Sequence, residues 1–113
     1  MSVVELQKKN VETILKHYGR YPQIVKTIEE LSELQKELCK YLNGKENEDY
    51  IIEELADVYV MLMQMRYLFD TEDKVLDEMK YKIDRTIQRI ESEKANEKNN
   101  WIRLWKRIFY NIK

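Results

Sequence analysis

The 113-residue chain contains only two glycines and one proline. So little turn punctuation argues against a turn-rich β fold. The one cysteine, Cys39, cannot form an internal disulfide, and its plain reading is a small helix residue. A single histidine, His17, and no Cys-x-x-Cys pair leave too few nitrogen and sulfur donors for a soft-metal site. His17, at the end of a helical stretch, reads as a surface or capping residue. No apolar run approaches the ~20 residues needed to span a bilayer. The first ten residues, MSVVELQKKN, lack the apolar core of a signal peptide. The expectation is a cytoplasmic protein with no stable membrane insertion.

What the chain does have is helix-forming material. It is 43% hydrophobic and 36% charged, rich in Glu, Lys, Leu and Ile, with five Met. Its length predicts one domain, and four or five packed helices are needed to cover this much apolar material. The net charge of −1 hides an asymmetry. Residues 94–113 hold six basic residues and one acidic, whereas residues 1–93 hold 14 basic and 20 acidic. An acidic body does not suit a nucleic-acid binder, which carries excess positive charge. If it works on phosphates, it needs metal ions.

The chain divides readily into helices. SVVELQKKNVETILKHYG ends at Gly19, a C-cap residue. Pro22 suits the first turn of a second helix, which runs to about Leu42 and stops at the Asn43-Gly44 turn signal. A third helix begins near Glu48 or Asp49 and runs to about Phe69. Asp70 or Thr71 is the expected N-cap of a fourth, which runs to about Glu93. KANEKNN reads as a polar break or frayed end before WIRLWKRIFYNIK. The predicted fold is all-α: a four-helix-type bundle of antiparallel helices over residues 1–93, plus a C-terminal amphipathic helix over 94–113.

Carboxylates stand out on the helical wheels. With Glu30 at zero, Ile24, Ile28, Leu31, Leu34 and Leu38 fall between ~40° and ~160° at ~100° per residue, with Glu30 at the margin. Acids flanking an apolar stripe are ordinary. The third helix is less so: with Glu54 at zero, Met61, Met65, Val58 and Ile51 lie within ~60° on either side. Asp57 lies beside them, and the segment 51–69 is apolar nearly all round, the pattern of a central buried helix. Unpaired carboxylates there are costly and repel one another. An Arg or Lys from another helix can neutralise them, and so can a divalent cation. Glu30 with Glu33, and Glu54 with Asp57, share i, i+3 spacing, and the short NGKENED connection makes their helices antiparallel neighbours. An all-carboxylate set suits Mg²⁺ or Mn²⁺, and such ions keep positions open for water and phosphate. On the fourth helix Lys82, Arg85 and Arg89 form a cationic row along one edge of the apolar face, suited to phosphate or to salt bridges.

The combination Glu29-Glu30-x-x-Glu33, twenty intervening residues, then Glu54-x-x-Asp57 resembles the signature of the MazG-like all-α nucleoside triphosphate pyrophosphohydrolases. The likeness spans about residues 15–92, and the lead-in YPQIVKTIEELSEL and the later KYKIDRTIQRI resemble small single-domain members. It implies that residues 1–93 form a catalytic domain. It also implies Mg²⁺- or Mn²⁺-dependent hydrolysis of a (deoxy)nucleoside triphosphate to monophosphate and pyrophosphate, a nucleotide-pool house-cleaning activity. The metal ligands implied are Glu30, Glu33, Glu54 and Asp57, with Glu33 or Glu30 as the catalytic proton acceptor. Glu29 would support the site from behind. Lys82 and Arg85 match the family's basic positions and would hold phosphates. Gln23, seven residues before Glu30 on the same helix face, can touch the nucleotide or be an exposed polar residue.

A bundle this small leaves apolar surface uncovered, so a homodimer or dimer of dimers is expected, a habit the family shares. The tail departs from the family pattern. Trp101, Leu104, Trp105, Ile108, Phe109 and Ile112 form one face, opposite Arg103, Lys106 and Arg107. Such a helix packs on its own bundle or a partner subunit, or lies on a membrane. Two rival readings stay open: a non-catalytic helical interaction module with salt-bridged acids, and a pyrophosphatase selective for dUTP or dCTP.

Overall fold

In the computed structural model the chain is all-α, with four helices and no strand among the described residues. The structure describes residues 2–110, the side chain of Val4 apart. Helix α1 spans Val3–Tyr18, α2 Arg20–Leu42, α3 Glu48–Phe69 and α4 Lys74–Tyr110.

Helix α1 opens on a capping box. The Ser2 Oγ accepts from the Glu5 N–H at 3.2 Å, and the Ser2 N–H donates to the Glu5 carboxylate at 2.8 Å. Two otherwise unpaired backbone groups are satisfied reciprocally. Gly19 both ends α1 and begins α2, at φ 92°. A Cβ there would meet only Pro22 Cδ at 3.9 Å, so the left-handed backbone, not space, calls for glycine. Pro22 falls in the first turn of α2, where its missing N–H costs no helical bond.

The chain separates into two compact units, residues 1–73 and 74–113. In the first, α2 packs chiefly along α3, and α1 lies against both. Val11 and Leu15, one turn apart on α1, are buried, as are Val58 and Met61 on α3. The carboxylate of Glu12 on α1, then burial, push the pKa of the Tyr67 phenol on α3 above its ordinary value.

Three sequence expectations are corrected. Ile52 (63% exposed) and Tyr59 show that α3 is not buried all round within one chain; it turns one stripe inward. On α2 the buried residues are Gln23, Thr27 and Glu37, while Ile28, Leu31 and Leu38 of the apolar arc are exposed. The face set against α3 is thus the polar margin of that arc. Finally, α4 begins at Lys74, a few residues beyond the expected N-cap positions Asp70 and Thr71, and Asp70 closes α3, its N–H donating to the Arg66 carbonyl at 2.9 Å.

In the second unit, α4 is one helix of 37 residues and has no buried residue. It continues through the segment expected to break, so the tail is the end of α4 and not a fifth helix. The reason is compositional: residues 91–110 contain neither Gly nor Pro, and Glu, Lys and Ala are good helix formers. Polarity alone does not end a helix. Near its end Trp105 lies 4.9 Å from Phe109 and 5.9 Å from Tyr110, ring centre to ring centre. Ile112, placed on this aromatic face by the sequence, lies outside the described residues. Among the described residues, no helix is long and apolar enough to cross a membrane.

Candidate metal centre

The seam between α2 and α3 carries polar residues spaced seven apart: Gln23, Glu30 and Glu37 on α2, then Asn47 (the N-cap of α3) with Glu54, and Asp57 with Gln64. Seven residues are two helical turns, so successive layers stand about 10 Å apart. An antiparallel pairing brings Gln23 to Gln64, Glu30 to Glu54 and Asp57, and Glu37 to Asn47.

The two outer layers bond across the seam. Gln23 Nε2 donates to Gln64 Oε1 at 2.7 Å, and Gln64, 1% exposed, is the most deeply buried side chain. Gln64 Nε2 in turn donates weakly to Met61 Sδ at 3.6 Å. At the other end Asn47 Nδ2 donates to the Glu37 carbonyl at 2.9 Å and to its carboxylate at 2.6 Å. Lys40 donates to the same carboxylate at 3.1 Å. The Asn47 amide, then Lys40, hold the Glu37 carboxyl below the usual carboxylate range. Asn47 Oδ1 is buried without a partner, so the two bonds made by Nδ2 are what hold this side chain.

The middle layer is different. One carboxylate oxygen from each of Glu30, Glu54 and Asp57 lies within 4.8 Å of the others. Glu30 and Glu54 are half-buried, and Asp57 is exposed. Glu54 Oε2 is buried and accepts no hydrogen bond. Burial pushes the Glu54 carboxyl above its ordinary value, and the negative charges of Asp57, Glu30 and Glu33 push it further. Among the described residues of this unit, the cation paired with Glu30 is Lys26, 3.1 Å from Glu30 and 3.5 Å from Glu29. It stands on α2 one turn from Glu30, on the outer side of the seam.

These features fit a divalent cation. Three oxygen donors converge, one Glu54 oxygen is buried without a hydrogen bond, and among the described residues of this unit Glu54 makes no ion pair. Glu33, half-buried on α2, is outside the convergent trio yet near enough for its charge to act on Glu54. Glu29 is exposed and shares Lys26. Gln23, read from sequence as a nucleotide contact or an exposed polar residue, is buried at 7% and bonded to Gln64. Lys82 and Arg85 stand on α4, in the other unit, both exposed; the Arg85 guanidinium lies 5.6 Å from the Tyr81 ring centre.

Sequence reasoning missed Lys26, Asn47 and Gln64. Lys26 was findable, since a Lys one turn from a Glu is an ordinary helix pair. The other two carried a fainter signal, their seven-residue spacing from Glu54 and Asp57. In comparisons with known proteins, no protein family, curated protein or solved structure matches this chain.

Proposed function

We propose that the chain is a metal-dependent nucleoside triphosphate pyrophosphohydrolase. The observation that carries this reading is the middle layer, where carboxylate oxygens of Glu30, Glu54 and Asp57 converge and Glu54 Oε2 is buried without a hydrogen bond. Glu30, Glu54 and Asp57 would hold Mg²⁺ or Mn²⁺, with Glu33 beside them. The ion would supply positive charge for triphosphate oxygens and make a water more acidic. Glu33 or Glu30 would accept that water's proton as it attacks phosphorus. The preference for phosphate anhydrides, and the phosphate-holding roles of Lys82 and Arg85, come from the motif resemblance.

The test is pyrophosphate release from a panel of standard and modified (d)NTPs, with Mg²⁺ or Mn²⁺. Metal-dependent release is expected, and dUTP and dCTP within the panel address a selective enzyme. Glu54→Gln is expected to lower turnover by at least about 100-fold, the upper end for residues that only support a ligand. Full activity in that variant would sink the proposal. The Lys26–Glu30 pair favours the other reading, a non-catalytic module with salt-bridged acids, but it leaves Glu54 unneutralised. Calorimetry with Mg²⁺ and a nucleotide separates the two, since a module shows no metal-dependent binding.

A further inference from the structure

The α2–α3 seam must hold together three carboxylates that repel one another. Like charges facing each other across two helices favour sliding or separation. Apolar contacts resist this poorly, because they are non-directional: Ile24 and Leu34 of the α2 arc are half-buried, but such contacts tolerate sliding, and Ile28, Leu31 and Leu38 are exposed. Buried polar pairs are directional. A slip of one turn, about 5.4 Å, would leave their donors and acceptors buried and unbonded. Two such pairs flank the acids, one on either side, each two turns away: Gln23–Gln64 at 2.7 Å and Glu37–Asn47 at 2.6 Å. Gln23 itself is anchored, since its carbonyl accepts from the Thr27 hydroxyl at 2.7 Å. All four residues are buried.

We propose that Gln23–Gln64 and Glu37–Asn47 are positioning pairs, which lock α2 against α3 in the one register that brings Glu30 up to Glu54 and Asp57. Buried polar groups fix register in helical assemblies at some cost in stability. Here they do so at both ends of an electrostatically unfavourable layer. The locking claim stands on the hydrogen bonds alone; its consequence for metal affinity rests on the proposed reading of the acidic layer.

The test uses the full chain with Cys39→Ser and spin labels on Lys36→Cys of α2 and Glu53→Cys of α3. Double electron–electron resonance on the otherwise native protein is expected to give one narrow distance. Q23L/Q64L, which keeps volume but removes the amide bond, is expected to shift or broaden that distance while the melting temperature holds or rises. Asn47→Ala tests the other pair separately, so misfolding of one variant leaves the proposal open to disproof. Glu37→Gln keeps an acceptor for Asn47 and is expected to retain the narrow distance. In unlabelled protein, Mn²⁺ alone, titrated by electron paramagnetic resonance, is expected to bind at least 10-fold more weakly to Q23L/Q64L. An unchanged narrow distance in both Q23L/Q64L and Asn47→Ala overturns the locking. A broadened distance with no Mn²⁺ binding by the native protein leaves the locking in place and overturns the metal reading instead.

Discussion

Glu54 is held in the folded chain under conditions that disfavour its charge. Its neighbours are negative, one of its oxygens is buried, and its pKa is raised from 4.5 by burial and then by Asp57, Glu30 and Glu33. Folding therefore favours the protonated form. Between the unfolded pKa and the raised folded value the folded chain binds more protons, so this group's contribution to stability falls as pH rises through that window. Glu37, whose pKa is lowered, acts oppositely: its contribution is present above the ordinary carboxylate value and is lost on acidification. In metal-free buffer at neutral pH, Glu54→Gln is expected to raise the melting temperature. Mg²⁺ at a hundred times its Kd is expected to stabilise the native chain by about 2.7 kcal/mol and the variant hardly at all. Thermal melts with and without Mg²⁺ check both; a destabilised variant that still responds to Mg²⁺ would show that Glu54 is neutralised some other way.

At the scale of elements, the helix boundaries were largely legible. Gly19, the Asn43-Gly44 turn and the acidic start at Glu48 are local signals with local causes, and the structure places helix ends there. The expected break near 94–100 is absent, because a polar segment without Gly or Pro can remain helical. Ala95→Pro tests the continuous helix directly. It is expected to cost about 3 kcal/mol, with far-UV circular dichroism falling to match a severed helix. An ordinary loop at 94–100 would tolerate it. In the other unit, Leu15 anchors α1 and is 4% exposed. Leu15→Ala is expected to cost about 2–5 kcal/mol by denaturant titration, because the vacated space lies between helices. The orientation of α2 was not legible. A wheel shows which side is more apolar, but not that a neighbour's Gln64 and Asn47 will draw in its polar margin.

For the whole molecule, what matters is how few apolar residues are fully buried. Among the described residues these are Val11, Leu15, Val58 and Met61. Ile28 is 61% exposed, and the outward side of α3 offers Ile52 and Tyr59. Apolar surface on this scale is costly in water. Self-association is expected, and sedimentation should give at least twice the 13.9 kDa chain mass. The melting temperature should then rise with protein concentration. A monomer with a concentration-independent melt would overturn the expected self-association.

The sequence by itself determined that the chain is helical, roughly where α1, α2 and α3 start and stop, and that Glu30 and Glu33, then Glu54 and Asp57, share faces one turn apart. Those properties follow from capping chemistry, backbone propensity and the 3.6-residue period, all of which act over a few residues. Only the tertiary structure decided that Glu30 meets Glu54 and Asp57 while Glu33 stands beside them, and that Gln23 is buried against Gln64. It also decided that Ile28, Leu31 and Leu38 of the α2 arc are exposed while Ile24 and Leu34 are half-buried. Those outcomes depend on the rotation and register of one helix against another, set by hydrogen bonds between residues 10 and 41 positions apart in the chain.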